Sequence, residues 1–111
     1  MPRYIPLFVL SLPLLAADVS GNWTFRVDLG IRNGAPKFVL QQRGEVLTGS
    51  YFGRLGEAKL KGTVKGERIA FQFEVSGRTA TYSGTIVSET EMKGRAEYSG
   101  LSDGTWTAKR D

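Results

Sequence analysis

With 111 residues, 14 glycines, no cysteine and no histidine, the chain has room for one domain with a single core and cannot draw stability from disulfides. The missing thiol and imidazole also remove the commonest general base, the thiolate nucleophile and the usual transition-metal ligands. The net charge of +4 comes from 15 basic and 11 acidic residues interleaved along the chain. That is the pattern of a solvated surface, whereas a nucleic-acid binder gathers its cations on one face beside stacking aromatics, so no nucleic-acid partner is expected.

The first stretch reads as a targeting segment. Met1-Pro2-Arg3 carries a positive charge, Tyr4 to Leu15 is almost wholly apolar, and Ala16-Ala17 offers small residues before Asp18. The apolar run is shorter than the roughly 20 residues of a membrane span, which predicts a signal peptide over residues 1–17 and a secreted or periplasmic protein. The mature part, residues 18–111, is then one domain without a membrane span.

Trp23, Phe25, Val27 and Leu29 alternate with Thr24, Arg26 and Asp28, which predicts a half-buried first strand. Gly30 to Pro36, centred on Asn33-Gly34, is expected to be a loop. Lys37 to Arg43 places Phe38, Leu40 and Gln42 on one face, and Gly44-Glu45 turns the chain into Val46 to Tyr51. Phe52 to Gly56 is the next expected connection. Glu57 to Val64 follows, with Ala58, Leu60, Gly62 and Val64 inward. After Lys65-Gly66, Ile69, Phe71, Phe73 and Val75 alternate with polar residues, and Ser76-Gly77 is a turn. Thr79 to Ile86, Met92 to Tyr98 and Thr105 to Arg110 complete the set, with Gly100 to Gly104 as the last loop.

Four of these segments share a pattern, apolar-x-Gly-x-apolar, at Leu47 to Tyr51, Leu60 to Val64, Tyr82 to Ile86 and Met92 to Ala96. The three marked residues are two apart, so they point to one face of a strand. Glycine there lets a strand coil sharply or leaves space for a ring from across the interior. Short turns join strands only to their sequence neighbours, so the fold class is all-β: an up-and-down antiparallel meander of about eight strands closing into a barrel.

Gly21-x-Trp23 at the head of the first strand, the meander itself and a basic residue near the C-terminus together resemble the calycin group, which includes lipocalins and avidins. The chain is also similar to short secreted bacterial barrel proteins. The resemblance implies that Trp23 plugs one end of the barrel and that Lys109 or Arg110 stacks on it as a cation.

Catalysis finds little support in the residues. Carboxylate pairs can serve as acid and base, but Asp28, Glu74 and Glu97 face outward and Glu45, Glu67, Glu89 and Glu91 fall in turns, so no enzyme, metal site or cofactor is expected. What remains is an inner face of nine aromatics: Trp23, Phe25, Phe38, Tyr51, Phe71, Phe73, Tyr82, Tyr98 and Trp106, with Gln42 as the amide among them. Either the rings fill the barrel, or the glycines open a pocket bounded by Gln42, Tyr51, Phe71, Tyr82 and Tyr98. The pocket reading gives a binding protein for a small apolar or aromatic molecule. The filled reading gives a structural barrel that meets an envelope or secreted protein through its rim loops, Gly30 to Pro36 and Phe52 to Gly56, with Phe52 and Leu55 as the contacts.

Overall fold

The computed structural model describes residues 17–30, 32–99 and 102–111. All but the last residue of the expected signal segment lies outside these. Alternating apolar and polar residues set the strands: β1 (Gly21–Asp28), β2 (Asn33–Gly34), β3 (Lys37–Arg43), β4 (Val46–Gly53), β5 (Gly56–Lys65), β6 (Arg68–Val75), β7 (Arg78–Ile86), β8 (Glu91–Tyr98) and β9 (Ser102–Arg110). Every pairing is antiparallel between neighbours, and β1 also pairs with β9, from Trp23↔Arg110 to Asp28↔Thr105. That closure turns eight strands into a barrel and removes the free edges.

The two-residue β2 continues the line of β3. Val27↔Gly34 and Trp23↔Phe38 are in one register along β1, and the ladder is interrupted at Pro36, which has no N–H to give. Its carbonyl still accepts from the Phe25 N–H at 3.0 Å. The expected Gly30 to Pro36 loop is therefore corrected: the chain reverses between Leu29 and Arg32, where the Leu29 N–H donates to the Arg32 carbonyl at 2.8 Å. Likewise β4 runs on through Phe52 and Gly53, so the β4–β5 connection is only Arg54-Leu55. At Ser76-Gly77 both residues have positive φ, 54° and 75°, the backbone of a tight hairpin turn whose twist matches its strands.

The inward glycines give room for a ring, as expected, and also allow close approach of neighbouring strands. A Cβ on Gly62 would overlap the Ala70 carbonyl and the Phe71 backbone, so the strands approach too closely there for any side chain. Gly84 and Gly94 lie opposite each other, and the Trp106 indole occupies space that a Cβ on Gly84 would need. With these positions empty, rings fill the centre: Phe25 and Trp106 stack at 4.7 Å, and Phe71 and Tyr82 at 5.1 Å between centroids. All nine inward aromatics are buried. Each contributes roughly 1.5 to 3 kcal/mol by leaving water.

Candidate functional site

An up-and-down meander sends its turns alternately to the two ends of the barrel, and the two ends differ. One end carries the Gly44-Glu45 and Gly66-Glu67 turns and is closed by residues 17–20 and the end of β9. Trp23 is 0% exposed there, and its indole N–H donates to the Val19 carbonyl at 2.9 Å. The Arg110 guanidinium carbon lies 4.6 Å from the centre of its ring. The same guanidinium donates to the carbonyls of Ser20, Asp18 and Glu89 at 2.6, 2.9 and 2.8 Å. Lys109, the other cation considered for this role, points outward and pairs with Glu91 at 3.5 Å.

Gln42 belongs to this closed end, and its expected place in a pocket is corrected. Its Oε1 accepts from the Val19 N–H at 2.9 Å, while its Nε2 donates to the carbonyls of Ala17 and Gly44 at 3.0 and 2.9 Å. The amide thus straps the N-terminal segment across the barrel end. It lies two residues from the Gly44-Glu45 turn, so it cannot face the other mouth.

The middle of the barrel is solid. Phe71 and Tyr82 are part of that filling, packed with Phe25, Phe38 and Trp106, so neither lines the open mouth of the barrel. Burial holds the Tyr82 phenol well above its ordinary pKa, and its hydroxyl meets that of Tyr98 at 2.7 Å. Burial likewise pushes the Tyr98 phenol up to about 12.

The opposite end is open. Above the aromatic filling lies a depression of about 270 Å³ whose wall includes Val27, Leu29, Pro36, Tyr51, Leu55 and Tyr98, with Arg32 and Arg54 at the rim. Tyr51 and Tyr98 are thus the expected site residues that the structure brings together here. Tyr51 stacks on Phe73 at 4.5 Å and lies over Gly53, where a Cβ would collide with its ring. Burial raises its pKa, while a backbone hydrogen bond from Leu55 and the Arg54 charge act in the lowering direction. Arg32, Pro36 and Arg54 fall in the two loops expected at the rim, Gly30 to Pro36 and Phe52 to Gly56, but the sequence does not mark them, Val27 or Leu29 as a pocket wall. Counting the meander's turns places Leu29 and Leu55 at one end, and that is the signal that could have found them.

Phe52 and Leu55 do not form one surface. Phe52 sits in β4 facing outward, 39% exposed, whereas Leu55 packs half-buried against the core and lines the mouth. The expectation is corrected for Phe52, which stands on the outward face of β4, while Leu55 in the turn stays at the rim.

No protein-family model matches the chain, and no curated protein does. Among solved structures it is similar to the redesigned β-barrel b11L5F_LGL, at 17% identity and TM-score 0.72 over 84% of this chain and 91% of that one. It is also similar to the redesigned β-barrel mFAP1 bound to DFHBI, at 14% identity and TM-score 0.66, covering 84% and 94%. A third neighbour, EF1p2_mFAP2b bound to DFHBI, has 18% identity and TM-score 0.61 over the same shares. At these identities the likeness is one of fold: a small eight-stranded antiparallel barrel. Among the described residues no helix is long and apolar enough to cross a membrane.

Proposed function

We propose that this is a secreted or periplasmic, non-enzymatic binding protein that holds a small apolar or aromatic molecule at the mouth of its barrel. The observation that carries the reading is the asymmetry of the two ends: one is sealed by Trp23 and Arg110, while the other keeps an apolar-walled depression of about 270 Å³. That volume is just under the range of about 300 to 1,000 Å³ typical of small-molecule sites, so the ligand is small and partly exposed. Two structural neighbours hold DFHBI, which supports the idea that a barrel of this shape can take a small molecule. The apolar N-terminal stretch supports export, and the calycin resemblance supports both the plug and the ligand.

Titration with the neutral dye N-phenyl-naphthylamine tests the reading. Saturable fluorescence enhancement at one site per chain is expected, abolished by Leu55→Trp, which fills the mouth, and unchanged by Phe52→Ala on the outer wall. A response insensitive to Leu55→Trp would remove the mouth as the site. N-terminal sequencing of exported protein tests the localisation, with Asp18 expected as the first residue.

A further inference from the structure

We propose that the molecule held at the mouth is an anionic amphiphile: an apolar or aromatic body bearing a carboxylate, sulfonate or phosphate group, with Arg32 and Arg54 receiving the anion. This rests on the mouth being the binding site, and it names the ligand class that the site selects.

The wall of the depression supplies the first half of the argument. Val27, Leu29, Pro36 and Leu55, bordered by the nearly buried rings of Tyr51 and Tyr98, give the depression an apolar lining, complementary to a hydrocarbon or aromatic body. The charges supply the second half. Among the described residues, the ionisable groups of the wall besides the two phenols are Arg32 and Arg54, and no carboxylate contributes to it. Among the described residues neither arginine has a salt-bridge partner, whereas Lys37, Arg95 and Lys109 each do. Asp28, on the strand beside the mouth, faces outward and accepts the Gly30 N–H at 2.9 Å. The arginines therefore keep their donors available to a ligand.

Electrostatics then decides between ligand classes. A charge beside a low-dielectric apolar wall is screened less than one on an open surface, and a cleft lined by one sign of charge concentrates the opposite ion. Arg54 lines the same depression as the Tyr51 phenol. A cationic ligand is repelled. A neutral one covers part of two guanidinium groups without giving them an acceptor, which costs free energy. An anion gives both groups one, and the planar guanidinium matches an oxyanion with two parallel donors. The two arginines come from different turns, after β1 and after β4, and both line the depression.

Two dyes that share one skeleton and differ in a single charged group make the test. N-phenyl-naphthylamine is neutral, and anilinonaphthalene sulfonate adds a sulfonate. For the unmodified protein at low salt the sulfonate is expected to bind at least about tenfold more tightly, as charge-assisted hydrogen bonds allow, and to weaken with added salt. Arg32→Gln with Arg54→Gln should remove that advantage without weakening the neutral dye by more than about twofold, the reach of lost stem packing. Lys59→Gln with Lys61→Gln, on the outer wall, changes the net charge equally and should leave both dyes unchanged. Equal affinity for the two dyes, or equal losses in the arginine variant, overturns the anionic ligand and leaves the mouth site standing. A sulfonate affinity that falls as much in the lysine variant also overturns it, because general charge then suffices. Saturable binding of neither dye overturns the mouth site and this inference with it.

Discussion

The Arg110 guanidinium covers the face of Trp23, with its central carbon 4.6 Å from the ring centre, and binds three backbone carbonyls. Those carbonyls belong to Asp18, Ser20 and Glu89, so one side chain ties together the segment before β1, the β7–β8 turn and the end of β9. Arg110→Ala should cost about 2 to 3 kcal/mol, combining a cation–π contact with charged hydrogen bonds. Arg110→Lys should recover about half, because an ammonium covers the ring but cannot reach three carbonyls at once. Urea unfolding at constant m-value measures both. Equal stability of the Lys variant and the unmodified protein would show that the fork contributes nothing.

The buried Tyr82 and Tyr98 hydroxyls have each other as partners, 2.7 Å apart. Tyr98→Phe should cost about 1 to 3 kcal/mol, because it leaves the Tyr82 hydroxyl buried without its partner. Replacing both with Phe should cost less than the two single losses added together. A double-mutant cycle reads this coupling, and strict additivity would contradict it.

Alkali should unfold the protein through the same pair. Burial raises both phenols, Tyr98 to about 12 from its ordinary 10 and Tyr82 in the same direction. A raised folded-state pKa means stability that is fully present below the unfolded value, near 10, and lost as pH rises through the folded value. Each phenol kept protonated should cost about 1.4 kcal/mol per pH unit above about 10. Tyrosinate absorbance and loss of β-sheet signal should therefore rise together between about pH 10 and 12. The variant with Phe at both positions should unfold at higher pH. Complete ionisation near pH 10 in protein that stays folded would contradict the burial of the pair.

Glycine substitutions should sort by position. Gly62→Ala and Gly84→Ala drive a Cβ into neighbouring backbone or the Trp106 ring and should cost about 3 kcal/mol or more, the upper range for overpacking. Gly66→Ala meets nothing within 4 Å, so only the strain of its φ of 60° remains, about 1 to 2 kcal/mol. Thermal melts of the three variants give the order. A milder effect at Gly62 than at Gly66 would mean that the wall of the barrel can yield.

Strand alternation made the fold legible, because the inward set from Trp23 to Ala108 was written as every second residue and the turns were too short for crossings. Pro36 hid the continuity of β2 with β3, since a proline beside Asn33-Gly34 reads as a loop when its ladder partner is unknown. Gln42 was misplaced for a different reason. Face periodicity tells which side of the sheet a residue occupies but not which end of the barrel, and Gln42 and Tyr51 share a face while lying near opposite ends. Phe71 and Tyr82 look the same in sequence as residues of a pocket wall. Only the packing of rings across the barrel shows that the interior is full at their level.

Amide shift mapping of the isotopically labelled protein, titrated with N-phenyl-naphthylamine, addresses the mouth site most directly. Saturable shifts are expected at Leu29, Gly53, Leu55 and Tyr98, with the amides of Val19, Gln42 and Met92 unmoved. Shifts centred on the Trp23 end or the outer wall, or no saturable shift at all, would contradict it.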